Sequence, residues 1–242
     1  MFYVEKGTVQ EFTLFSEQLQ QEFNLLLYIP ANYSPFTQYN LCIASDGRDY
    51  FQMGAIQRVA DELMNDYEIE ETIIVGVPYI NAADRKRKYI PSGDQFHAYM
   101  HFIVKELVPY LEENYSISQD LTKRAIIGDS MAGTIALMTA AHYPDTFGKI
   151  AMQSPYVDDE VITIVEQMRP NDDIFIYHII GLEEVEVVTT DKSIKDFLTP
   201  NRALHALIKE KAFPHFYDEF NGGHKWTYWK PDLKRLLTEI FE

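Results

Sequence analysis

The sequence predicts an α/β fold, with a mostly parallel central sheet, an antiparallel N-terminal edge and helices on both faces. Three observations carry that expectation. Short apolar runs of strand length alternate with longer segments of helical periodicity. Several of those runs are almost uninterrupted in their apolar character, as strands covered on both faces are. The first two strand-like stretches are joined by a short link, as antiparallel neighbours are. A chain of 242 residues suits one domain of this class over residues 1–242.

Residues 7–15 alternate, and residues 22–29 carry Phe23, Leu25, Leu27 and Tyr28 before Pro30 ends the run. Ala31-Asn32-Tyr33-Ser34-Pro35 is turn chemistry. The apolar run 41–44 precedes a helix expected near 54–65, and 72–77 precedes a long helix within 96–114. There Phe102, Ile103, Leu107, Val108 and Leu111 fall near helical spacing. The run 125–127 leads into a helix over about 131–141, and 150–152 into one around 159–168. The run 174–180 is followed by a helix near 201–211, and 215–220 by a last helix within 230–241. No internal repeat, low-complexity tract or linker interrupts this alternation.

The composition excludes several classes. The 37 acidic against 21 basic side chains give a formal charge of −16, which disfavours bare nucleic acid and anionic membrane surfaces as partners. The single cysteine, Cys42, lies in the apolar run Leu41-Cys42-Ile43-Ala44, so no internal disulfide can form and a small buried thiol is expected. The N-terminus lacks a cationic start and an apolar core segment, and no run reaches the roughly 18–20 apolar residues needed to span a bilayer. A cytoplasmic protein is expected, and a homo-oligomer is compatible with this composition. His97 and His101 are four apart, but Ala98-Tyr99-Met100 between them lacks the glutamate of H-E-x-x-H, and no phosphate-binding glycine motif is present. No metal and no cofactor are expected.

The chemistry concentrates in Gly128-Asp129-Ser130-Met131-Ala132-Gly133. An apolar strand leads in and a helix of small residues leads out, which puts Ser130 at a sharp strand-to-helix turn. There a hydroxyl stands exposed and the helix N-terminus offers N–H groups to a developing oxyanion. Ala132 occupies the place of the second glycine in G-x-S-x-G. The competing reading is an ordinary strand–helix turn with serine as helix cap.

A serine nucleophile needs a base. In the hydrolases built on this turn the chain order is serine, acid, histidine, which leaves His178, His205, His215 and His224. His178 lies inside an apolar strand, His205 in an amphipathic helix, and His215 at a strand start. His224, in Asn221-Gly222-Gly223-His224-Lys225-Trp226, sits in a glycine-rich loop after the last strand, from which an imidazole can reach over the site. The acid should follow the strand ending at Gly181, where Glu183, Glu184 and, further on, Asp191 are available. Spacing does not choose among them.

The serine turn, Gly181-Leu182-Glu183-Glu184 and the Gly-Gly-His loop with Trp226, Tyr228 and Trp229 together resemble the esterase D-like α/β-hydrolases. That group includes feruloyl esterases, siderophore esterases, bacterial acyl esterases and mycolyltransferases. The resemblance runs from the first hairpin to the last helix. It implies Ser130 as nucleophile, His224 as base and Glu184 as acid, with Glu183 second. It also implies that Asp46-Gly47-Arg48-Asp49-Tyr50-Phe51 supplies the second oxyanion amide, so the amides of Met131 and Arg48 would form the hole. Arg85-Lys86-Arg87-Lys88-Tyr89-Ile90-Pro91 resembles a loop beside the site, although Lys88 departs from the acidic residue usual there, and a solvated basic loop competes with that reading.

The implied function is hydrolysis of a small-molecule ester through an acyl-enzyme, with Tyr50, Phe51 and Trp226 as substrate contacts and a small or aromatic acyl group. Acyl transfer by the same triad to an alcohol or sugar, and a non-catalytic binding protein on the same fold, are the alternatives.

Overall fold

Alternation along the strands decides where the core sits. In β3 (Asn40–Ser45), Leu41 and Ile43 join one apolar cluster and Cys42 and Ala44 a second on the opposite face. In β5 (Arg124–Asp129), Ile126 faces the first cluster, and Ala125 and Ile127 the second. Every residue of β3, of β4 (Thr72–Val77) and of β5 is buried, which explains why their sequences read as continuous apolar runs.

The computed structural model describes residues 5–190 and 192–242. Among them β1 (Thr8–Ser16), β2 (Gln21–Ile29), β3, β4, β5, β6 (Lys149–Gln153), β7 (Phe175–Gly181) and β10 (His215–Phe220) form one sheet in the order β1-β2-β4-β3-β5-β6-β7-β10. The pairs β1/β2 and β2/β4 are antiparallel, and every other neighbouring pair is parallel. The expected sheet with an antiparallel N-terminal edge is therefore present. A two-stranded hairpin, β8 (Val187–Val188) with β9 (Ile194–Lys195), stands apart from it.

Helices cover both faces. Ile56–Asn65 and Trp226–Phe241 pack on the second cluster, and Met131–His142, Asp159–Gln167, Leu198–Glu210 and the long helical stretch 96–114 on the first. The stretch 96–114 contains a π-helical insertion, Phe102–Leu107, just before Pro109. A wider turn there accommodates the proline, which cannot donate to a carbonyl one turn back. The last helix starts at Trp226, four residues before the expected start, and keeps Pro231 inside its early turns.

Residues 85–91 correct the expectation of a loop. They belong largely to a helix, Ala82–Tyr89, whose N-terminus is capped by the Asn81 side chain accepting from Asp84 N–H at 3.0 Å. Its inward face carries Arg85, Lys88 and Tyr89, all buried, so apolar periodicity gave no sign of it.

The chain runs from β3 outward to β4, then crosses back to β5 on the other side of β3. Strand order reverses there, and the loops at the carboxyl ends of β3 and β5 diverge around a crevice. That is where open α/β sheets bind ligands. No helix among the described residues is long and apolar enough to cross a membrane.

Candidate active site

The turn after β5 holds Ser130 at φ 53° and ψ −127°, a positive φ that a non-glycine residue adopts only when its surroundings enforce it. The Ser130 amide donates to Gln153 O at 2.9 Å, and its carbonyl accepts from Tyr156 N–H at 3.2 Å, so β6 and the segment after it pin the turn. Gly128 is required: a Cβ there would lie 2.2 Å from the Ala132 backbone. Ala132, in place of the second glycine, is itself fully buried in the core. Met131 opens the following helix, where an amide has no carbonyl within the helix to reach.

His224 meets this turn from the loop after β10. Its Nε2 lies 2.8 Å from Ser130 Oγ, and its Nδ1 lies 2.7 Å from Glu184 Oε2. The carboxylate can only accept, so Nδ1 carries the proton and Nε2 is left to accept from the serine hydroxyl. Phe197 and Trp229 bracket the imidazole, with ring centroids at 4.5 and 4.8 Å.

Glu184 is wholly buried. Its Oε1 accepts from Ser154 Oγ at 2.6 Å and from Gly181 N–H at 3.0 Å. A Cβ at Gly181 would come 2.7 Å from that same oxygen, so glycine admits the carboxylate against the backbone. Glu183 is exposed, which separates two residues that spacing could not. Asp191 lies outside the described residues.

A buried charge cluster adjoins the serine. Arg85 forks onto Asp46, with Nε donating to Oδ2 at 2.8 Å, and its Nη2 donates to Asp129 O at 3.1 Å. One guanidinium thus ties the end of β3 to the residue preceding Ser130. Burial pushes the Asp46 carboxyl up despite the Arg85 charge beside it. Burial and then the Asp46 charge hold Asp129 well above the usual carboxylate range.

These groups open onto a cavity of about 510 Å³ whose walls include Met53, Tyr79, Tyr156, Phe197, Trp226 and the hairpin residues Val187 and Val188. Of the expected substrate contacts, Trp226 lines it. Tyr50 and Phe51 do not: Tyr50 is fully buried, donating its hydroxyl to Gln153 Oε1 at 3.1 Å, and Phe51 packs in the second core cluster. Their loop turns helically after Gly47, which swings these side chains beneath the site, and it is Asp46, Asp49 and Met53 that reach the cavity. The Arg48 side chain is exposed. The amides of Asp49 and Tyr50 are spent on Asp46 O, whereas that of Arg48 precedes them in the turn.

Of the residues around the site, Ser154 carries no signal in the sequence, whereas Arg85, Asp129 and Trp229 lie in segments the sequence singles out without giving them these contacts. The other histidines after Ser130 have structural partners: His142 Nδ1 lies 2.9 Å from Met138 O, His178 Nε2 2.7 Å from Asn201 Oδ1 and His215 Nδ1 2.8 Å from Phe213 O, and His205 stacks on Tyr217. Among the described residues no three His, Cys, Asp or Glu side chains converge as a metal site would require.

A hydroxyl, an imidazole and a carboxylate in hydrogen-bonded series at the carboxyl ends of a mostly parallel sheet define a hydrolase of the α/β class. The Esterase family model ("Putative esterase") matches residues 16–240; the chain belongs to this family and is a carboxylic ester hydrolase. It is 47% identical over 236 residues to the uncharacterized protein YjcH of Bacillus subtilis, spanning 98% of both chains. Its fold is similar to that of a ferulic acid esterase (TM-score 0.78, 18% identity, 98% of both chains). It is also similar to the ferric enterobactin esterase of Salmonella typhimurium (TM-score 0.82, 19% identity), covering 96% of this chain and 58% of that one. The family read from the motifs is thus the family to which the chain belongs.

Proposed function

We propose that the protein hydrolyses small or aromatic acyl esters through a Ser130–His224–Glu184 triad and an acyl-enzyme intermediate. The observation that carries this reading is the unbroken series from Ser130 Oγ to His224 Nε2 at 2.8 Å and from His224 Nδ1 to Glu184 Oε2 at 2.7 Å.

Ser130 Oγ attacks the ester carbonyl carbon while its proton passes to His224 Nε2. Glu184 holds the tautomer and stabilises the imidazolium that forms, itself staying ionised. The negative charge on the tetrahedral oxygen is received by the amide of Met131 and, from the turn after β3, that of Arg48. Each such donor contributes roughly 3–4 kcal/mol to the transition state. His224 then protonates the departing alcohol. In the second half it takes a proton from water, whose oxygen attacks the acyl carbon, and it returns that proton to Ser130 Oγ as the acyl–Oγ bond breaks and the acid leaves.

The aromatic walls at Tyr79, Tyr156 and Trp226 support a short or planar acyl group, and feruloyl esters are the class named for one structural relative. Ser130→Ala should abolish labelling by a fluorophosphonate and lower hydrolysis of p-nitrophenyl acetate by roughly 10³-fold or more. Wild-type turnover in that variant sinks the reading.

A further inference from the structure

Ser154 sits at the end of β6 with φ 51°, a backbone conformation that favours glycine. It is fully buried, and its amide donates to Ile179 O at 2.8 Å. A glycine would occupy the place with less strain, so the side chain calls for an explanation. Its hydroxyl makes two bonds: it lies 3.0 Å from Trp229 Nε1 and 2.6 Å from Glu184 Oε1.

The direction of both bonds follows from valence. An indole N–H can only donate, so Ser154 Oγ accepts from Trp229. The hydroxyl has one proton, and a carboxylate can only accept it, so that proton points at Glu184. The series is therefore polarised one way, from Trp229 Nε1–H to Ser154 Oγ–H to Glu184 Oε1, and each bond strengthens the next. With Gly181 N–H as the second donor to Oε1, that oxygen is fixed and Oε2 is the one presented to His224. Trp229 also sets its ring edge-on to the His224 imidazole at 4.8 Å, so one side chain of the last helix addresses both partners of the nucleophile.

We infer that Ser154, backed by Trp229, is a positioning residue of the reaction. It holds the Glu184 carboxylate in the rotation that orients His224, and it draws off part of that carboxylate's charge. This rests on the triad proposed above. The strained backbone at Ser154 persists because no glycine could supply the hydroxyl.

The consequence separates catalysis from folding. Ser154→Gly relieves the positive φ and removes the hydroxyl, whereas Ser154→Ala removes the hydroxyl and keeps the strain. Both variants should lose kcat on p-nitrophenyl acetate roughly 10-fold, with KM within about twofold of wild type. Without the Ser154 donor more negative charge faces the imidazolium, so protonated His224 is favoured and the acid limb of kcat/KM moves to higher pH. Fluorophosphonate labelling, which needs no substrate, should slow in parallel, and Ser154→Gly should melt no lower than Ser154→Ala. Either variant, folded, with wild-type kcat, acid limb and labelling rate overturns the inference while the triad stands. A wild-type protein that does not label overturns the triad, and this inference with it.

Discussion

Asp129 precedes Ser130 in sequence, and among the described residues its buried Oδ1 has no hydrogen-bond partner. Burial and the Asp46 charge raise its carboxyl. A carboxyl raised on folding contributes stability that is complete below its unfolded value, about 3.9, and is lost as pH climbs through the folded value. Asp129→Asn should therefore melt roughly 2–4 °C above wild type at neutral pH. The gap should widen upward from about pH 4, and a melting series that shows it narrowing counts against this account. At the same scale, Ser130 and His224, the pair on which the proposed triad rests, stand out in the sequence because each sits in a short local pattern of six residues. Spacing did not separate Glu184 from Glu183, which only the resemblance ranked, because the donors that meet Glu184, Gly181 N–H and Ser154 Oγ, are brought to it by the fold. Tyr50 and Phe51 were misjudged for a related reason: nearness in sequence to an active loop does not say which way a helical turn aims its side chains.

At the scale of elements, the strands were legible because two-sided burial writes an apolar run. The helix Ala82–Tyr89 was hidden because Arg85 and Lys88, the residues it buries, are the type usually left in water. Lys88 stays inside because Asp84 at 2.6 Å and Gln21 Oε1 at 2.8 Å meet its ammonium. The joint between β7 and the helix Leu198–Glu210 carries a second titration. Burial depresses His178 to about 4, so the neutral ring contributes stability that is present above its unfolded value near 6.5 and lost as pH falls toward 4. His178→Gln should flatten the decline of melting temperature between those values. A variant slope equal to the wild-type slope would show that His178 does not contribute.

At the scale of the whole molecule, the charge of −16 surrounds a cavity that also has Lys86, Lys195 and Lys225 along its lining. Encounter is governed by the outer field and capture by the near charges, and salt screens the outer field first. For an anionic p-nitrophenyl ester, kcat/KM should rise about 2- to 5-fold between 20 and 200 mM NaCl, while p-nitrophenyl acetate changes little. A fall for the anionic ester would mean that the lysines dominate its approach. That the sheet is mostly parallel was implicit in the alternation of runs and helices. The pairing of β3 with β5 was not, because adjacency across a sheet is settled by packing between residues far apart in the chain.

Cys42 lies fully buried in β3, with its thiol pushed up by that burial, and it is the only cysteine in the sequence. The protein is in effect already a cysteine-free background for thiol chemistry. Val188 is 70% exposed and lines the cavity. A cysteine installed there would be the one accessible thiol for a maleimide fluorophore or a spin label, placing a single reporter at the mouth without first engineering a native thiol away.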